Sequence, residues 1–277
     1  MTLDAHLHLW DLEHGTYSWL SDAVAPINRT FRFEEVEPQL RATGVDRVVL
    51  VQAAGTSEDS AAMFAVAAQQ PMVAGVVAWV DLRDPSAVGD ALDSWAAAGP
   101  LVGIRHLIHD EADPDWLAQP AVHRSLAVLA SRGLAYDVIG VLPRHLEHAV
   151  ALADELPELR LVVDHLGTPP VGSEAGEWGR LIDELGSRPN VFVKLSGLTT
   201  LGPAGRASAG DLRPYVDRAL DAFGPSRMLY GGDWPVSTLA TPYAETFAVA
   251  RELIAALTPA ERDDILAGSA ARAYRLP

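Results

Sequence analysis

Two histidines one residue apart, His6 and His8, end a short apolar run over residues 3–8. Side chains on a strand alternate between faces, so residues two apart point the same way. On that rule Asp4, His6 and His8 share one face, and Leu3, Ala5 and Leu7 share the other. Two later runs also end in polar residues, one at Asp164-His165 and one at Gly232-Asp233-Trp234-Pro235. Three imidazoles and a carboxylate are a donor set for one divalent ion, with a position left open for water. Asp233 could take the proton of that water. The His6/His8 pair alone is weak evidence, because ordinary polar residues at a strand end give the same spacing. His165 and Asp233 at the matching ends of later runs favour a metal or catalytic cluster.

Other residues could support that chemistry. Arg105 ends the run 101–105; with Val102 and Ile104 facing outward it points inward, where a guanidinium needs an anionic or carbonyl partner. That partner is either the substrate or a structural carboxylate such as Asp137. His106 follows on the opposite face or in the loop, within reach of substrate if the strand breaks there. Lys194 shares a face with Phe192 and Ser196, and reads as a substrate contact, a partner of Asp233 or a structural ion pair. Trp79 and Trp10 could stack on a ring substrate or pack into the core. His145 and His148, three apart on a helical stretch, read as solvated surface, and His14, His109 and His123 show no partner.

These residues need a frame that brings distant strand ends together. Eight apolar, β-branched runs occupy residues 3–8, 47–52, 72–80, 101–105, 134–139, 159–165, 190–197 and 227–233. Between them lie stretches with apolar residues near a 3.6 period, at 34–43, 58–70, 85–98, 121–132, 143–156, 177–187, 211–223 and 242–257. A ninth stretch, 258–274, closes the chain. Strands that alternate with helices and are apolar throughout argue for a parallel sheet. Eight such units favour closure into an α/β (β/α)8 TIM barrel over an open, doubly wound sheet. With no linker or break in composition, residues 1–277 read as a single barrel domain, close to the roughly 250 residues of such barrels. The active site of a barrel lies at the C-terminal ends of its strands, where these polar ends would meet. The long first connection, 9–33, carries Trp10, Tyr17, Trp19, Phe31 and Phe33 and is expected over the mouth.

Composition narrows the function. The chain has no cysteine, so any metal must be held by His, Asp or Glu. A net charge of -16 repels phosphate backbones and anionic membranes, which argues against nucleic-acid and membrane partners and for a small, neutral substrate. The N-terminus lacks a signal-peptide pattern, and no apolar stretch approaches the ~20 residues that span a bilayer, so a soluble, cytoplasmic protein is expected. The chain could act alone or as a homo-oligomer.

Six segments, LDAHLHLWD, VGIRHLIHDEADPDWL, VVDHLGTPP, NVFVKLSGL, RMLYGGDWPV and ILAGSAARAYRL, run in order over nearly the whole sequence. In them the chain resembles the amidohydrolase superfamily, and within it the amidohydrolase-2 type with its lactonase-like branch of sugar-lactone and pyrone-dicarboxylate lactonases. The resemblance implies a hydrolase that opens a lactone, such as a sugar-derived aldonolactone, or, as the alternative, a metal-dependent decarboxylase of an aromatic or muconate-type acid. It implies that Asp233 is the general base for the attacking water, with His165 beside it in the catalytic set. It further implies that His6, His8 and His165, with Asp233, bind one divalent metal ion, zinc before others, or that the histidines polarise the substrate carbonyl without a metal. The bridging lysine of two-metal members is missing, since the middle strands offer Arg105 and Asp137. Gly232 stands where the family commonly has serine, a difference expected to affect turn packing.

Overall fold

All eight apolar runs form strands, and the strands pair in chain order in one parallel sheet. The computed structural model describes residues 1–277. The strands are β1 (Leu3–Leu7), β2 (Arg47–Val51), β3 (Val73–Ala78), β4 (Leu101–His106), β5 (Ala135–Val138), β6 (Arg160–Val163), β7 (Val191–Leu195) and β8 (Met228–Tyr230). Each is followed by a helix: α1 (Phe33–Thr43), α2 (Ser57–Ala67), α3 (Val88–Ala98), α4 (Pro120–Ser131), α5 (Pro143–Glu155), α6 (Gly176–Gly186), α7 (Ala209–Phe223) and α8 (Tyr243–Leu253). The expected ninth helix is one π turn, Asp264–Gly268, set between α9 (Pro259–Asp263) and α10 (Ser269–Tyr274). Local signals set several ends. Proline occupies the first turn of α4, α5 and α9, where a missing N–H costs nothing. Ser208 with Asp211, and Thr258 with Glu261, form capping boxes on α7 and α9.

β8 meets β1 to leave the barrel nearly closed. The amide of Asp233 donates to the carbonyl of His6 at 2.7 Å, and that of His8 to Trp234 at 2.8 Å. The carboxylate of Asp4 crosses the same seam and accepts from the amides of Gly232 (2.8 Å) and His6 (3.0 Å).

The core has two parts. Leu7, Leu50, Val76, Ile104, Tyr136, Val163, Val193 and Tyr230 pack outward among the helices. Leu3, Ala5, Val49, Val77, Val102, Phe192 and Leu229 face the barrel interior, where Ala270, Ala273 and Tyr274 of α10 close the floor. This division corrects two expectations about faces. The pairing of β1 with β2 slips by one residue between Asp4 and Leu7. Leu3 and Ala5 therefore face inward, Asp4 turns outward to the hydroxyl of Tyr243 on α8 (2.8 Å), and alternation resumes with His6 and His8. A similar slip between β3 and β4 puts Val102 inside while Ile104 stays outside, and Arg105 still points inward.

Candidate active site

At the C-terminal mouth lies a cavity of about 180 Å³, lined by His8, Trp19, Ala53, Arg105, Leu107, His109, Ile139, His165, Asp233 and Val236. His6, His165 and Asp233 offer ligand atoms within 4.8 Å of one another. The Nε2 of His8 stands 3.0 Å from the Nε2 of His6 and 3.4 Å from Oδ1 of Asp233. His6 Nε2 to Asp233 Oδ1 is 3.7 Å. The structure thus brings the four expected residues together.

Each is held from behind. His8 Nδ1 donates to the carbonyl of Val51 at 2.7 Å, which leaves its Nε2 as an acceptor. His165 Nδ1 is 2.9 Å from the hydroxyl of Ser196. Both His165 and Asp233 sit in left-handed backbone, with φ of 54° and 52°. Gly197, at φ 64°, passes so close that a Cβ there would stand 2.5 Å from His165 Nδ1 and 3.0 Å from Asp233 Oδ2. Burial lowers the pKa of His165, and burial followed by the charge of Lys194 holds His6 well below the usual imidazole range.

Beneath His6 lies a layer of charge. Lys194, fully buried, stands 2.5 Å from Asp137 Oδ2, 2.9 Å from Asp164 Oδ1 and 2.9 Å from His6 Nδ1. Arg105 donates to Asp164 Oδ2 at 2.9 Å and to the carbonyl of Gln52. Two cations and two carboxylates make this layer neutral, as burial of charge requires. Burial opposes ionisation of Asp164, but Lys194, His6 and Arg105 together hold its carboxyl well below the usual range. Burial pushes Asp137 up to about 6.

The remaining expected residues divide. Arg105 both lines the cavity and forms an ion pair, with Asp164 and not Asp137. Lys194 pairs with Asp137 and Asp164, away from Asp233, and does not line the cavity. His106 and Trp79 line a neighbouring cavity of about 310 Å³, which shares Trp19 and Leu107 with the first. There His106 stacks on Trp116, accepts from Trp79 Nε1 (3.1 Å) and donates to Glu111 (2.7 Å). Trp10 is not at the mouth. It packs under the long loop against Phe31 and Trp19, its Nε1 bonded to the carbonyl of Arg29. Trp19 is the tryptophan of that loop that reaches the cavity. His109, which showed no partner in the sequence, also lines it. His145 and His148 are buried and not solvated, with His148 bonded to Asp115 at 2.7 Å.

The donor set fits a divalent ion. With its Nδ1 protonated, His6 would donate toward Asp164 Oδ1, a buried oxygen 3.3 Å away. Its Nε2 lone pair would then point at the His8 Nε2 lone pair across 3.0 Å, a contact that calls for a cation between them.

A parallel eight-stranded barrel with a buried His-Asp cluster at its C-terminal mouth defines a barrel enzyme whose polar centre lies at the strand ends. The chain belongs to the Amidohydrolase family, whose sequence pattern matches residues 3–276. It is 38% identical over 245 residues to an L-fucono-1,5-lactonase of Burkholderia ambifaria, covering 88% of this chain and 83% of that one. It is 33% identical to an L-fucono-1,5-lactonase of Burkholderia multivorans, over 100% and 97% of the two chains. A crystal structure of an amidohydrolase from Burkholderia multivorans with bound zinc superposes with a TM-score of 0.93, at 32% identity and full coverage of both chains.

Proposed function

We propose that the protein is a lactonase that opens the ring of a sugar-derived aldonolactone, with Asp233 as general base. The observation that carries this is the placement of the Asp233 carboxylate in a cavity of about 180 Å³, beside His8, His165 and Arg105. The likeness to two L-fucono-1,5-lactonases supports the substrate class. Asp233 takes a proton from water as the water oxygen bonds to the lactone carbonyl carbon, and the C=O electron pair moves to the carbonyl oxygen. That oxyanion is stabilised by the Arg105 guanidinium, whose Nε has no protein partner, and by the His165 imidazole. Collapse breaks the bond from carbonyl carbon to ring oxygen, and Asp233 returns its proton to that oxygen. The product is a hydroxy acid.

His6, His8, His165 and Asp233 would hold a divalent ion, with zinc the first candidate because the similar Burkholderia multivorans structure binds it. Such an ion, when bound, supplies Lewis-acid polarisation to the site. Trp19, Leu107, Ile139 and Val236 supply apolar wall to the cavity.

The likeness to two L-fucono-1,5-lactonases favours hydrolysis over decarboxylation. A panel of neutral aldonolactones assayed with a pH indicator tests the reading. Acid release is expected from at least one of them, and Asp233→Asn is expected to lower the rate by about 10²–10⁴-fold. Release of CO2 from an aromatic acid, with every lactone left closed, would overturn it.

A further inference from the structure

We propose that Lys194 is a positioning residue that selects which nitrogen of His6 carries the proton, and so whether His6 serves as a hydrogen-bond donor or a metal ligand. The inference deepens the reading above, resting on the metal-ligating role given there to His6. It depends on the direction of three hydrogen bonds. An ammonium has protons and no lone pair, so across the 2.9 Å from Lys194 Nζ to His6 Nδ1 only the lysine can donate. His6 Nδ1 then accepts, and its proton is on Nε2. His8 is fixed from its other end, because a carbonyl can only accept: its Nδ1 donates to Val51, and its Nε2 is free to accept. The 3.0 Å contact between the two Nε2 atoms is satisfied by the proton that Lys194 forces onto His6. The chain Lys194 to His6 to His8 to Val51 then runs in one direction, set by the shorter contact: Arg105 Nη1 also approaches His6 Nε2 and would favour the opposite tautomer, but at 3.4 Å against the 2.9 Å of Lys194.

The alternative is also built into the site. Asp164 Oδ1 lies 3.3 Å from His6 Nδ1 and 2.9 Å from Lys194 Nζ. Moving the imidazole proton from Nε2 to Nδ1 gives that oxygen an imidazole donor and turns the Nε2 lone pair into the cluster. The exchange conserves the proton count. It costs the bond from Lys194, whose ammonium keeps Asp137 and Asp164 as partners. Without a cation His6 is a donor to His8; with one it is a ligand. Lys194 thus weakens metal binding, because the ion must first displace the lysine's hydrogen bond.

Nitrogen-15 NMR of the histidine rings tests this on the wild-type protein, with His6 assigned by difference from His6→Asn. In the chelator-treated enzyme, His6 Nε2 is expected to carry the proton and Nδ1 to be unprotonated. Added zinc is expected to reverse the pair. Lys194→Met is expected to show the Nδ1-protonated form without metal, and to bind zinc at least about tenfold more tightly by competition with a chromogenic chelator. A purely structural ion pair would leave the tautomer unchanged in that variant, and this outcome overturns the proposal. An Nδ1-protonated His6 in the metal-free wild type overturns it too, even if Lys194→Met does not fold. If zinc perturbs none of the site histidines, the tautomer switch falls together with the metal reading, while the lactone panel still decides the reaction.

Discussion

The left-handed backbone at His165 and Asp233 is disfavoured for any residue with a Cβ, at about 1–3 kcal/mol each. The surrounding contacts must hold these residues in place, and Gly197 is what allows the close approach. A methyl at Gly197 would meet His165 Nδ1 and Asp233 Oδ2, and would strain a φ of 64°. Gly197→Ala is therefore expected to lose about 1–3 kcal/mol in urea unfolding and to lower kcat at least tenfold. A variant with full kcat would show that the cluster tolerates displacement. Gly232 poses a different question, since serine is common there in the family. A Cβ at Gly232 would stand 2.5 Å from Asp4 Oδ2 and 2.5 Å from Tyr243 Cε2. In this chain the tyrosine ring occupies the space a serine needs, and its hydroxyl bonds Asp4. Gly232→Ser is expected to cost about 1–3 kcal/mol. Combined with Tyr243→Ala, its added cost should shrink, giving a double-mutant coupling above about 0.5 kcal/mol. Strict additivity would mean that the two side chains do not compete for this space.

Among the elements, the turn after β2 contains a titrating group that can be read separately from the catalytic cluster. Asp59 on α2 accepts from the amides of Ala53 (2.9 Å) and Ala54 (3.3 Å). Burial pushes its pKa up to about 6, against the pull of those amides. A raised carboxyl binds its proton more tightly folded than unfolded. Its contribution to stability is thus full below the unfolded value near 3.8 and is lost as pH rises through about 6. Asp59→Asn has no such titration. Wild-type stability relative to the variant is expected to fall by about 3 kcal/mol between about pH 4 and pH 7.5. A pH-independent difference in urea unfolding would show that Asp59 is not held in this environment. Elements of this kind were readable in sequence because alternating apolar runs and 3.6 periodicity are local signals, and all eight strands and their helices follow them. The slips in β1 and β4 were not, since a bulge depends on how two strands register and leaves no mark in one strand's alternation. For that reason Asp4 and Val102 were given the wrong faces, while His6, His8 and Arg105, beyond the slips, were placed correctly inside. The polar strand ends were legible. The pairings below them were not: Lys194 with Asp137 and Asp164 joins three strands whose contact depends on barrel closure. Trp10 takes the second of its two readings and packs under the loop, and that Trp19 reaches the cavity was not legible, because a long loop folds back on contacts that no periodicity encodes.

The whole molecule combines a strongly acidic surface with a buried layer beneath His6 whose charges cancel. Thirty-seven acidic residues face 21 basic ones, so repulsion remains at the surface even if every lysine and arginine is paired. Inside, Lys194 and Arg105 balance Asp137 and Asp164, and Tyr274 of α10 donates to Asp137 from the barrel floor at 2.8 and 3.0 Å. The last helix is thereby tied to the layer on which His6 rests. Salt acts differently on the two regions. The Debye length falls from roughly 10 Å at 0.1 M to about 3 Å at 1 M, which screens charges in water and leaves buried pairs little affected. Raising NaCl from about 0.05 M to 1 M is therefore expected to increase wild-type stability by relieving surface repulsion. Tyr274→Phe removes one buried donor and leaves Asp137 undersatisfied, at an expected cost of about 1–3 kcal/mol. That cost should be the same at both salt concentrations, within about 0.5 kcal/mol. Urea unfolding of the two proteins at both concentrations gives the four numbers needed. If the cost shrinks markedly in high salt, then water and ions reach Asp137, and the floor formed by α10 is open enough for solvent to enter the layer beneath His6.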